Sequence, residues 1–174
     1  QGIEKGAIFN VSASAHYYYS HQDDAWLTLP ASGIAGTFGA GSCGAFTHTG
    51  PVGTATAGTT TTLTTNLTIP RSIAGYKLFI TEGPGAGDIR TIASNTYGAN
   101  SIITVTEAFS GTITTASKYV LYTGRFWFYN AGSSGGGFRY WDRALSVWSG
   151  ALAVNSGVTW GTDGRLVATS TPLG

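Results

Sequence analysis

Apolar and polar positions along this chain alternate in short runs that end at Gly, Pro, Asn or Ser. Nowhere do apolar residues recur at spacings of three and four for long enough to make a helix. Alternation of period two predicts strands, because successive side chains leave opposite faces of an extended backbone. Residues 7–11, 15–19, 25–29, 59–67, 76–82, 88–95, 101–106, 117–122, 125–129, 137–141, 146–148 and 165–169 all read this way. So many short strands predict an all-β fold, antiparallel and sandwich- or barrel-like, with an inserted β domain and little or no helix.

The clearest local device is Gly83-Pro84-Gly85-Ala86-Gly87, set between two apolar runs. Glycines supply the positive φ that tight hairpin loops need, so the spacing predicts a hairpin here. A second connection over residues 95–100 leads to Ile102-Ile103-Thr104-Val105, and together they predict a three-strand antiparallel meander.

A pattern recurs at the two ends of the chain. Tyr18-Tyr19-Ser20-His21 leads to Trp26 and on to Thr37-Phe38-Gly39, and Tyr140-Trp141-Asp142-Arg143 leads to Trp148 and on to Thr159-Trp160-Gly161. In both copies the Tyr and the first Trp lie eight positions apart, an even number that predicts both rings on one face of a strand pair. Between the copies tryptophan disappears, and Thr, Ile and Gly dominate. The expected division is a Tyr/Trp-repeat β module from residues 1–52 together with 124–174, and an inserted Thr/Gly-rich β domain at 53–123. Repeats of this kind belong to binding and building proteins more often than to enzymes.

Composition narrows the class. Charged residues make up only 10% of the 174 residues, so Thr, Ser, Asn and backbone must cover the surface, while 13% aromatics argue against disorder. A net charge of +1 offers no electrostatic footprint for nucleic acid or anionic lipid. No apolar run reaches membrane-spanning length, and the first residues lack the pattern of a signal peptide, so no membrane partner is expected. Cys43 is the single cysteine, which excludes an internal disulfide and leaves only an intermolecular one.

Candidate chemistry is sparse. The glycine loop beside Arg90 has a phosphate-cradle look, but it opens a strand and lacks the Lys-Ser/Thr that should follow. His21, Asp23 and Asp24 gather in one connection without the alternating ligands and central glycine of a calcium loop, and no metal or cofactor is expected. Asp142 and Asp163 each stand beside an arginine in a turn, a pattern that suits turn capping better than a glycosidase pair. No catalytic residue is assigned, and the chain is expected not to be an enzyme.

What remains is aromatic. Alternation sends Phe126 and Phe128 to one face and Trp127 and Tyr129 to the other, so both faces of that strand carry rings. Rings on both faces imply cover on both, inside a sandwich or between subunits, with a sugar-stacking platform as the alternative. The candidate anchors are Trp26, Trp127, Tyr129, Tyr140, Trp141, Trp148 and Trp160.

These residues resemble a known family. The insert, with Thr59-Thr60-Thr61-Thr62-Leu63, Ile73-Ala74-Gly75-Tyr76-Lys77, the 83–87 loop and Ile102-Ile103-Thr104-Val105, is similar to a β module of tailed-bacteriophage structural proteins. The flanks, from Phe138-Arg139-Tyr140-Trp141-Asp142-Arg143 to Trp148 and Trp160-Gly161, resemble repeats beside that module in large virion proteins, and faintly kelch-type blades. The resemblance implies a virion structural protein on the outer surface of the phage particle. The leading expectation is a capsid decoration or cement protein that partners the major capsid protein or other virion proteins. It is expected to be a homo-oligomer, with a trimer favoured. The alternative is a tail, collar or fibre component that binds host-surface carbohydrate.

Overall fold

The computed structural model describes residues 8–11, 16–20, 25–29, 43–130, 137–150 and 152, and these are all-β. The first three strands, β1 (Ile8–Val11), β2 (His16–Ser20) and β3 (Ala25–Leu29), form an antiparallel meander. Then come β4 (Cys43–Thr47), β5 (Val52–Thr54), β6 (Ala57–Gly58), β7 (Thr62–Thr64), β8 (Lys77–Glu82), β9 (Ile89–Asn95), β10 (Ile102–Val105) and β11 (Lys118–Tyr122). A second meander closes the described chain with β12 (Arg125–Asn130), β13 (Gly137–Asp142) and β14 (Val147–Trp148).

The middle of the chain makes a seven-stranded antiparallel sheet in the order β5-β11-β8-β9-β10-β7-β6. Its two edge strands, β5 and β6, are consecutive and separated only by Ala55 and Thr56. At that step Ala55 N–H donates to Ser117 O on one side and Thr56 N–H to Thr64 O on the other, at 2.9 Å each. One continuous extended segment therefore serves both edges, and the sheet closes into a small barrel. Closure removes the row of unpaired backbone groups that an open sheet presents. Register shifts at Thr104/Val105 and Lys118/Tyr119 supply the local bends that a tight barrel needs.

Alternation fills the interior as expected. Leu78 and Ile80 from β8, Tyr119 and Leu121 from β11, Ile103 and Val105 from β10, Ile92 from β9 and Leu63 from β7 are all buried together. The loops close the ends with Ile69, Ile73, Phe109 and Ile113. Burial pushes the Tyr119 hydroxyl up to about 12.

The predicted hairpin over residues 83–87 joins β8 to β9, with Gly83, Gly85 and Gly87 at φ of +77°, +82° and +93°. The predicted meander β8-β9-β10 is present in antiparallel pairing. Of the single strand expected over residues 59–67 only β7 is present, preceded by a turn that joins it to β6. Thr59 Oγ1 accepts from the N–H groups of Thr61 and Thr62 at 3.1 Å each, so a threonine side chain displaces the ladder it was expected to join. Strands β4, β5 and β6 were not expected. The predicted strand 165–169 lies outside the described residues.

The second meander carries β4 on its outer side, giving a four-stranded sheet in the order β14-β13-β12-β4. Because β4 pairs with β12 and β5 with β11, the chain enters and leaves the barrel side by side. The pairing continues through the neck. Gly124 N–H donates to His48 O at 3.0 Å, Gly50 N–H to Leu121 O at 2.7 Å and Leu121 N–H to Pro51 O at 2.9 Å.

Candidate functional site

The repeat is real in the backbone, but its face assignment needs correction. Trp26 lies opposite Tyr19, not Tyr18, and Trp148 lies opposite Trp141, not Tyr140. Even spacing keeps two residues on one face only along a single strand. Across a hairpin whose connection has an even number of residues, directly paired positions are an odd number apart. The connections here are residues 21–24 and 143–146, so the Tyr and Trp eight apart fall on opposite faces. Both hairpins nevertheless share one register, which is a stronger likeness than the spacing alone implied.

One face of the four-stranded sheet is closed. Phe126, Phe128 and Trp141 are buried, the two phenylalanine rings stack at 6.3 Å, and Trp148 meets Trp141 edge-on at 5.6 Å. Strand β4 approaches this face closely because residue 44 is glycine: a Cβ there would collide with the Phe126 ring. Among the described residues the Trp141 indole N–H meets no acceptor.

The opposite face is half-buried and mixes rings with charge. Trp127 and Tyr140 sit opposite each other with centroids 4.8 Å apart, and the Arg125 guanidinium lies 4.4 Å over the Tyr140 ring. Arg125 Nε also donates to Asp142 Oδ2 at 2.9 Å, and Leu145 N–H donates to Asp142 Oδ1 at 3.2 Å. Asp142 thus caps the 143–146 connection, as the sequence suggested, but its cationic partner is Arg125 rather than the adjacent Arg143. Trp127 Nε1 donates to Thr47 Oγ1 at 3.0 Å, which ties β12 to β4.

The 143–146 connection reaches into the barrel. Ala144 is fully buried in the barrel core, Leu145 packs against that core, and the Arg143 guanidinium lies 5.0 Å from the Tyr76 ring centroid. Burial pushes Arg143 down to about 9, so it still carries its charge at neutral pH. Ser146 holds the turn with φ of +52°.

The sequence-predicted anchors are distributed as follows. Trp127 and Tyr140 are brought together, and Trp141 and Trp148 pack against each other on the other face. Trp26 belongs to the first meander and is 52% exposed. The Tyr129 side chain and Trp160 lie outside the described residues. Sequence reasoning missed Arg125 and Thr47 as parts of this surface. Arg125 had a signal, since it shares the alternate face with Trp127; Thr47, joined through an 80-residue separation, had none.

Asp88 and the glycine loop are engaged structurally. Burial pushes the Asp88 carboxyl up, but Ser110 N–H and hydroxyl together with Arg90 outweigh it and hold the group below its usual range. In the glycine loop, Ala86, Gly87 and Asp88 N–H groups donate to Gly83, Ile80 and Gly85 carbonyls, which closes a hairpin rather than leaving a nest of amides. Among the described residues no three His, Cys, Asp or Glu side chains group for a metal, and no helix is long and apolar enough to cross a membrane. No protein-family model, curated protein or solved structure matches this chain.

Proposed function

We propose that this chain is a non-catalytic structural protein of a tailed-bacteriophage particle, acting as a decoration protein on the outer face of the capsid. The observation that supports the reading is a pair of hairpins, β2–β3 and β13–β14, in identical register on either side of an inserted closed barrel, all of it β as a virion component of that kind would be. The engaged carboxylates support the non-catalytic part: Asp142, Asp88 and Glu82 are held by Arg125, Arg90 and Lys118 respectively. Such a protein works by burying area across neighbouring capsid subunits, with aromatic anchors at the contact centres. Binding only the assembled state stabilises that state by mass action. Mass spectrometry of purified particles tests this directly. The chain is expected at hundreds of copies per head, and its absence from particles would overturn the proposal.

A second reading places the chain in a tail, collar or fibre that recognises host-surface sugar. It is favoured by the half-buried Trp127–Tyr140 ring pair beside Arg125 and Asp142, since stacking rings next to polar groups suit a pyranose. A copy number in small multiples of three or six, with glycan binding lost in Trp127→Ala, is the result that selects it.

A further inference from the structure

The barrel has two unlike outer faces. Strand β9 changes partner along its length: Ile89, Arg90 and Thr91 pair with β8, whereas Ile92, Ser94 and Asn95 pair with β10. Strands β5, β11, β8 and the first half of β9 thus form one wall, and the second half of β9 with β10, β7 and β6 forms the other. On the second wall Ser94, Thr104 and Thr62 stand directly opposite one another across three strands, and Ile102 lies between Thr64 and Thr96. Hydroxyls cover that side.

The first wall breaks the rule. Its outward row is Val52, Val120, Phe79 and Ile89, each directly opposite the next on four adjacent strands. The alternate residues Leu78, Ile80, Tyr119 and Leu121 already fill the core, so this row faces away from it. Val52 is 62% exposed and Ile89 38%, and Val120 and Phe79 between them are half-buried. Tyr122 extends the band, its ring centroid 6.3 Å from that of Phe79. Charge fringes it: the Lys118–Glu82 pair lies along one side, and Lys77, whose Nζ donates to Thr91 Oγ1 at 2.6 Å, along the other. An apolar centre inside a polar rim is the anatomy of a protein contact.

We propose that this wall docks face to face on the same wall of a second copy of this chain, about a two-fold axis that runs along the strands between β11 and β8. The wall is its own complement about that line. The axis sets Val120 over the partner's Phe79, Val52 over the partner's Ile89 and Tyr122 over the partner's Lys77, each contact made twice. It also sets Lys118 over the partner's Glu82, so the pair seen within one chain becomes a ring of four alternating charges. A strongly charged partner of either sign would set Glu82 or the two lysines against their like, and a second copy does not. Four strands about 4.8 Å apart, with five residues rising about 3.4 Å each, cover roughly 300 Å2 of sheet. A standard interface takes about 800 Å2 from each partner, so this dimer is weak and forms where copies are crowded. The barrel keeps its stability in its interior. The contact is two-fold, in place of the trimer favoured above, and it rests on the wall's own residues and not on the virion reading. A chain that pairs this way yet is absent from particles would keep this inference and remove the other.

Charge reversal tests it. Sedimentation equilibrium of the intact chain in low salt, from micromolar to millimolar, is expected to show the mass rising from monomer toward dimer. Glu82→Lys and Lys118→Glu each set like charges across the axis twice, and each is expected to weaken self-association by about tenfold or more. Mixed in equal amounts, the two variants are complementary at both contacts and are expected to recover the dimer. Val52→Thr is expected to weaken it several-fold, and Ile102→Thr, on the other wall, to leave it unchanged; circular dichroism checks that each variant is folded. A parent chain that stays monomeric at millimolar concentration, a mixture no tighter than either charge variant alone, or an Ile102→Thr loss equal to that of Val52→Thr would overturn the proposal.

Discussion

The barrel and the four-stranded sheet are made of the same kind of short antiparallel strand, but they treat their edges in opposite ways. The barrel uses one extended segment twice, as β5 and β6, and so leaves no edge; its interior is aliphatic, with Leu63, Leu78, Ile80 and Leu121 fully buried. The sheet ends in the two-residue strand β14 on one side and borrows β4 on the other, and its packing is aromatic. A closed unit holds its stability internally. An open one depends on what is laid against it, and the loan of β4 shows that this chain already covers one edge from outside the meander.

That contrast can be tested at four points. Leu121→Ala removes a fully buried side chain from the barrel and is expected to cost about 2–5 kcal/mol in urea unfolding, with the same loss at all protein concentrations. A loss that shrank on raising the concentration would mean the barrel, too, leans on neighbours. Asp142→Ala leaves Arg125 and the Leu145 amide without their carboxylate and is expected to cost about 2–3 kcal/mol. Near-UV circular dichroism should show the tryptophan signals melting before the barrel in this variant.

The third test is pH. Tyr119 is raised to about 12 when folded, so from its ordinary value near 10 upward the unfolded chain loses a proton that the folded chain keeps. Stability should therefore fall as pH rises from about 10 to about 12, by roughly 2 kcal/mol at the upper end. Tyr119→Phe should flatten that limb, and an unchanged limb would place its cause elsewhere. The smallest effect is expected at Lys118–Glu82, a pair 2.7 Å apart with side chains 53% and 61% exposed. Glu82→Gln should change the unfolding free energy by less than about 0.5 kcal/mol in urea, and the difference should vanish in high salt.

Much of the barrel was legible because its signals are local. The glycines at 83, 85 and 87 announce a hairpin, and the alternation in Leu78, Ile80, Tyr119 and Leu121 marks an interior face. What escaped was non-local or disguised. Strands β4 and β5 carry Gly44 and Gly53, and a glycine in a short run hides its extended conformation. The break at Thr59 was invisible because threonine favours strands by bulk and turns by its hydroxyl, and only the fold decides between them. On the aromatic sheet the rings were found but their partners were not. The parity rule was carried across a hairpin where it does not hold, and the Trp127–Thr47 bond joins segments that the whole barrel separates in sequence.

The neck through His48, Gly50, Leu121 and Gly124 has a mechanical consequence. Two side-by-side tethers without cross-links would let the barrel swivel like a bead on a thread. Here the tethers are laced together by hydrogen bonds of 2.7–3.0 Å that continue the ladders on either side. Torque applied to the barrel is thereby handed to the sheet as twist, and a tug on it loads several bonds at once.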